Sequence, residues 1–216
     1  MFTQTAWLIK NLRGVLYCKE DQTIVDLVAK KFRYRNVGVP RWLAEDIGKR
    51  VEKKPFVKID YPFEDVRQFI ESLNPSPEVE TIALASCYLC PVLTSARDYK
   101  ELKPFAIDEV YVGELGNISD RDLKLHLRIA DYSVTDFYVW ATTTLYESVK
   151  HGKLEEHIKE RVERVKKDKK RYWRVAKESG DVFIAYVDLS MLLNDVSELP
   201  ENAACAFGIV TTVILR

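Results

Sequence analysis

Val37-Gly-Val-Pro-Arg-Trp-Leu-Ala-Glu-Asp-Ile-Gly-Lys-Arg50 is the stretch around which the chain can be read. It begins as a short extended run. Pro40 fixes its own φ, lacks an N–H and suits the first position of a helix, and it biases Val39 towards extended backbone. Trp42, Leu43 and Ile47 then fall on one face of a short helix. Glu45 and Asp46 precede Lys49 and Arg50, the charge order that the helix dipole favours. Phe56-Val-Lys-Ile-Asp-Tyr61 follows and alternates as a strand does. The unit is strand, proline, short helix, strand, and it holds no nucleophile, metal-ligand cluster or phosphate loop. Pro40, Trp42 and Leu43 are its fold-defining residues.

On the N-terminal side, Ala6–Leu12 and Val15–Lys19 read as strands separated by Arg13-Gly14, short enough for a hairpin. Asp21 is placed to cap a helix running to about Phe32, with Ile24, Val25, Leu27 and Val28 on its apolar side. Tyr61-Pro62 closes this part. The predicted fold class is therefore α+β. A small β-rich module spans residues 1–62, and a mainly helical domain with short strands spans residues 63–216.

Within the second part, Val66, Phe69, Ile70 and Leu73 recur at helical spacing. Asn74-Pro-Ser-Pro77 breaks the pattern, and a second, buried helix is expected from Glu78 to about Tyr99, kinked or ended by Pro91. Phe105–Val112 is strand-like or a packed loop, and Ser119 or Asp120 opens a segment that fits either a helix or a strand. Residues 136–178 form the longest helical region, interrupted at His151-Gly152 and ended at Ser179-Gly180. In it Ile158, Val162, Val165, Lys169, Tyr172 and Ala176 step as a heptad seam. Such a seam must be buried against another helix, in this chain or another, and it reads as an assembly surface whose protein-interface residues are Ile158, Val162, Val165 and Tyr172. Val182–Val187 resembles a strand, with a helix as the competing reading; Ser190–Asp195 is helical, and the apolar run Ala203–Leu215 has to be covered by the fold or by a partner.

The residues Val37, Val39, Pro40, Trp42, Leu43 and Ala44 resemble the V-x-V/L-P-x-W-L-A run and short helix of the small β-rich domain of GINS subunits. These are replication factors of archaea and eukaryotes. The order of the two parts is similar to that of GINS subunits whose β-domain precedes the helical domain. The resemblance implies a non-catalytic scaffold in a hetero-oligomer with a second GINS-type subunit. Its implied partners are a replicative helicase and a Cdc45-like protein.

Composition bounds the other readings. The 216 residues carry 31% charged side chains with a net charge of zero, and 47% hydrophobic residues provide for a core. Lys, Glu and Arg are abundant, a bias shared with thermophile proteins. Zero net charge exerts no global pull on nucleic acid, so only a local patch could. Lys167, Lys170, Arg171 and Trp173 offer one, a basic run with aromatics interleaved, and it makes a single-stranded nucleic-acid-binding accessory protein the alternative reading. The N-terminus lacks the features of a signal peptide, and no run approaches the ~20 apolar residues of a membrane span; a cytoplasmic protein is expected. Of the four cysteines, Cys87 and Cys90 have C-x-x-C spacing, which fits half a metal site or a pair of buried thiols. His126, His151 and His157 are scattered, and no hydrolase, zincin, P-loop or dinucleotide motif is present. No cofactor, metal or catalytic residue is expected.

Overall fold

The computed structural model describes residues 11–113, 144–172, 182–193, 196 and 198–215. Seven strands are formed by Leu12–Leu16 (β1), Asn36–Val39 (β2), Phe56–Lys58 (β3), Val92–Ser95 (β4), Ala106–Gly113 (β5), Val182–Asp188 (β6) and Ile209–Leu215 (β7). They make one sheet in the order β3-β2-β1-β4-β7-β6-β5. The strands from β3 to β7 run parallel. β6 is antiparallel to both of its neighbours.

Helices cover both faces. Thr23–Lys31 (α1) and Arg41–Ile47 (α2) bury Ile24, Val25, Val28, Leu43, Ala44 and Ile47 against Leu16, Val37, Val39, Leu93 and Val213. Glu64–Ser72 (α3) and Pro77–Cys87 (α4) lie on the other face. There Val66, Ile70, Ile82 and Leu84 join Val15, Val92, Val210 and Ile214. Tyr99–Leu102 (α5) follows β4, and Leu154–Tyr172 (α6) precedes β6. The chain thus steps outward from β1 through β2 to β3 with its helices on one face. It then returns by α3 and α4 on the opposite face to place β4 on the far side of β1. Right-handed crossovers require this change of face when the direction of winding reverses. The result is a doubly wound α/β sheet.

The mixed α/β character agrees with the expectation, but the expected segregation does not. Residue 62 does not divide the structure, because β1–β3 and β4–β7 come from either side of it and share one sheet. The predicted hairpin at Arg13-Gly14 is likewise replaced by a strand that runs straight through both residues and pairs in parallel with β2 and β4. Gly14 is needed for close approach. A Cβ built there would lie 2.5 Å from Leu93 Cγ and 2.6 Å from its Cδ1. Gly14→Ala is expected to destabilise the fold by about 1–3 kcal/mol through overpacking. In a urea-denaturation double-mutant cycle, Leu93→Ala should absorb part of that cost.

The helix expected from Glu78 to Tyr99 ends at Cys87. Ser76 caps its start, and Pro77 occupies its first turn. Leu89 adopts φ +53, and the Cys90 amide donates to the Ala85 carbonyl at 3.1 Å, which closes the last turn before Pro91. The four residues after Pro91 are all buried and form β4. The strands expected at Phe105–Val112 and Val182–Val187 form as β5 and β6. The interruption at His151-Gly152 is present, with Gly152 at φ +67 between the helical residues 144–150 and α6. The apolar C-terminal run is covered by the chain itself: β7 is buried along its whole length between β4 and β6. The segments predicted at 119–130 and 173–180 lie outside the described residues. No helix among the described residues is long and apolar enough to cross a membrane.

Candidate functional site

In an open parallel sheet the carboxyl ends of the strands diverge where the winding reverses, leaving a crevice that neither layer of helices fills. Here the reversal falls between β1 and β4. The residues leaving β1 are Tyr17-Cys-Lys-Glu-Asp21, and those leaving β4 are Ala96-Arg-Asp98.

Asp98 organises this mouth. It is 1% exposed, and its carboxylate accepts the backbone amides of Glu20 at 2.8 Å and Asp21 at 3.2 Å. The Ser95 hydroxyl and the Asp98 carboxylate lie 3.2 Å apart. Arg97 reaches Glu20 at 2.8 Å, a second tie between the two loops. Asp21 accepts the Thr23 amide at 3.2 Å, but the N-cap of α1 is Gln22, one residue later, which makes no side-chain cap bond.

The other wall is aromatic. Tyr17 is fully buried, and its ring lies 5.6 Å from that of Trp42 at 57°. Its hydroxyl donates to Glu78 on the first turn of α4, and Lys19 reaches the same carboxylate oxygen at 3.3 Å. Burial opposes the charge on Glu78. The Tyr17 and Ser76 hydrogen bonds, the backbone amide and Lys19 outweigh it and hold the carboxyl below its usual range. Burial first, then the Glu78 carboxylate, pushes the Tyr17 phenol upward. Burial, followed by the charge of Asp98, also pushes the Cys18 thiol up to about 12.

Beyond Trp42, Arg41 pairs with Asp60 at the end of β3, and Arg67 approaches the same oxygen at 3.9 Å. The Tyr88 hydroxyl donates to the Asp60 carbonyl at 2.6 Å. Burial, with Asp60 and Glu71, raises Glu80 above the ordinary carboxylate range. The Trp42 indole N–H and the Tyr61 hydroxyl are buried there without a partner among the described residues. Polar atoms in that condition are costly unless something satisfies them.

None of Tyr17, Glu78 and Asp98 was singled out from the sequence. The signal is positional, since each follows or faces the carboxyl end of a parallel strand, and β4 has to be recognised before Asp98 stands out. The residues that were singled out fall elsewhere. Pro40 is the N-cap of α2, Leu43 is buried in that helix and Trp42 is half-buried over Tyr17. Val165 is 3% exposed and packs on Ile209 of the same chain, with Ile107 and Tyr186 beside it. It is therefore covered already and does not present an open assembly face. Ile158 and Val162 are half-buried beside it, Lys167 is exposed, and Lys170, Arg171 and Tyr172 belong to α6. Trp173 and His126 lie outside the described residues. Cys87 and Cys90 are both buried, and no group of three or more His, Cys, Asp or Glu among the described residues is placed to hold a metal ion.

The strand order defines the class, a doubly wound α/β protein whose winding reverses between β1 and β4. Comparison with family models, with curated proteins and with solved structures finds no match.

Proposed function

We propose that this protein binds a small organic cation in the crevice at the carboxyl ends of β1 and β4. The observation that supports the reading is the occupation of the loop amides by Asp98. Those N–H groups are where a doubly wound fold grips a phosphate. With a buried carboxylate on them, an anionic ligand is repelled. Glu20, Asp21 and Glu78 flank the same loops, Glu101 adds its charge to the field at Tyr17, and Lys19, Arg97 and, at Cys18, Arg50 are opposing cations. Aromatic faces beside carboxylates attract cations by ring quadrupole and by charge. The role is recognition without catalysis.

The test is calorimetric titration of the whole chain with agmatine, choline, spermidine and ATP at low and moderate salt. An amine is expected to bind and ATP to be refused. Glu78→Gln keeps a hydrogen-bond partner for Tyr17 and is expected to weaken the amine roughly tenfold by removing one charge-assisted contact. Preferential ATP binding, or an unchanged amine affinity in Glu78→Gln, would overturn the reading.

A second reading keeps the chain as a docking subunit of a GINS-like assembly. What supports it is the run Val37 to Ala44, which forms strand, proline and short helix. A pull-down from native extract that recovers a helicase or a second GINS-type chain would favour it. A monomeric chain with no such partner would remove it.

A further inference from the structure

We propose that Cys87 and Cys205 are a thiol pair that closes to a disulfide, clamping the end of α4 to the helical turn Asn202–Phe207. Their Sγ atoms lie 2.8 Å apart although the residues are 118 positions apart in the chain. A disulfide needs a sulfur separation of about 2.05 Å, within reach of small side-chain rotations. The two backbones are already fixed at that spacing. The Ser86 hydroxyl donates to the Cys205 carbonyl at 2.6 Å, and the Gly208 amide donates to the same hydroxyl at 2.9 Å. Phe69 of α3 meets Phe207 edge-on at 6.1 Å, which holds the turn from a third side.

The two sulfurs differ in access. Cys205 is half-buried, whereas Cys87 is 4% exposed. Burial, and then the neighbouring Cys205 and Cys90 sulfurs, hold Cys87 as a thiol well above the ordinary range. This order of access sets the order of chemistry. Cys205 loses its proton to solvent, and its thiolate attacks a low-molecular-weight disulfide such as oxidised glutathione. One thiolate leaves and takes up a proton, and a mixed disulfide remains on Cys205. Cys87 then loses its proton and attacks the Cys205 sulfur. The Cys87–Cys205 bond forms, the mixed bond breaks, and a second small thiol is released. The protein pair gives up two electrons and the small disulfide accepts them. Cys90 is the internal competitor, since the C-x-x-C spacing that drew attention in the sequence also allows a Cys87–Cys90 bond. Cys18 packs in the core of the opposite face and takes no part.

The test is equilibration of the full chain in glutathione buffers of graded ratio, then acid quenching, alkylation and non-reducing peptide mapping. The expected product is a cross-linked Cys87–Cys205 peptide, two hydrogens lighter than its parts. A rise in the thermal midpoint of roughly 10 °C should accompany it, because the bond closes a long loop. Cys90→Ser is expected to retain both signals and Cys205→Ser to lose both. The peptide map of the unmutated chain decides the matter whether or not a variant folds well. A Cys87–Cys90 product, a glutathione adduct on Cys205 that leaves Cys87 free, or reduced thiols throughout in the most oxidising buffer would overturn the proposal.

Discussion

Replacing Asp188 with alanine is expected to destabilise the fold by about 3–5 kcal/mol, the range found when one member of a buried ion pair is removed. Asp188 closes β6, and Arg161 reaches it from the middle of α6. Their closest nitrogen and oxygen are 3.3 Å apart, and the Arg161 side chain is 0% exposed. The same guanidinium nitrogen donates to the Phe207 carbonyl at 3.0 Å. Nε and Nη1 of Arg161 have no partner among the described residues. The attraction of Asp188 is therefore the main electrostatic compensation for a cation held out of water. Burial works to lower the Arg161 pKa, and the carboxylate is what counters it. Asp188 also accepts the Ser190 amide at 2.7 Å, a bond the variant loses as well. The urea midpoint of Asp188→Ala measures the effect. The double variant Arg161→Met with Asp188→Leu should recover most of the loss, because two apolar side chains impose no desolvation penalty. A single variant as stable as the parent would show that the pair is idle.

The second large effect is loss of stability in mild acid through His157. It lies one turn before Arg161 on α6 and is 2% exposed. Burial, and secondarily the Arg161 charge, lower its pKa from 6.5 to about 4. Between those values the unfolded chain binds a proton on this ring and the folded chain does not. Stability from this residue is thus complete above pH 6.5 and falls as the pH drops towards 4, with no further loss below that. The size is on the order of 3 kcal/mol, from the link between a pKa difference and folding free energy. Denaturation midpoints measured from pH 7.5 to 3.5 should show the slope. His157→Leu should flatten this part of the slope and leave acid loss from carboxylates in place.

Both residues also show why part of the structure was hidden in the sequence. A heptad reading of α6 picks out Ile158, Val162 and Val165 and leaves His157 and Arg161 off its seam. Yet His157, Arg161 and Val165 are the buried residues of that helix among those whose burial is described. Nothing local announces a buried arginine, because what shelters it is Asp188 and the Phe207 carbonyl, contributed by distant segments. Strand pairing was lost for the same reason. Val15 and Leu16 were legible as extended, but a parallel partner cannot be inferred from a neighbouring turn, and the nearest turn suggested a hairpin instead. Val92–Ser95 shows no alternation because both faces are covered, so it merged with the preceding helix. Local chemistry was read correctly where the signals were local. Pro40 immediately ahead of α2, the break before α4 and Gly152 between two helical segments all act as their residue types imply. The crevice sits between these successes. Its loops were visible, but the partnership of Tyr17, Glu78 and Asp98 needed the strand order.

The position of β7 carries a consequence for how the molecule is made. It lies between β4 and β6, both of which leave the ribosome before it. Until residues 209–215 emerge, the part of the sheet containing β1–β4 and the antiparallel pair of β5 and β6 have no strand to join them, and each keeps a raw edge. A chain that lacks residues 209–215 therefore leaves β4 and β6 each with an unpaired edge, and it is the addition of β7 that joins the two parts of the sheet.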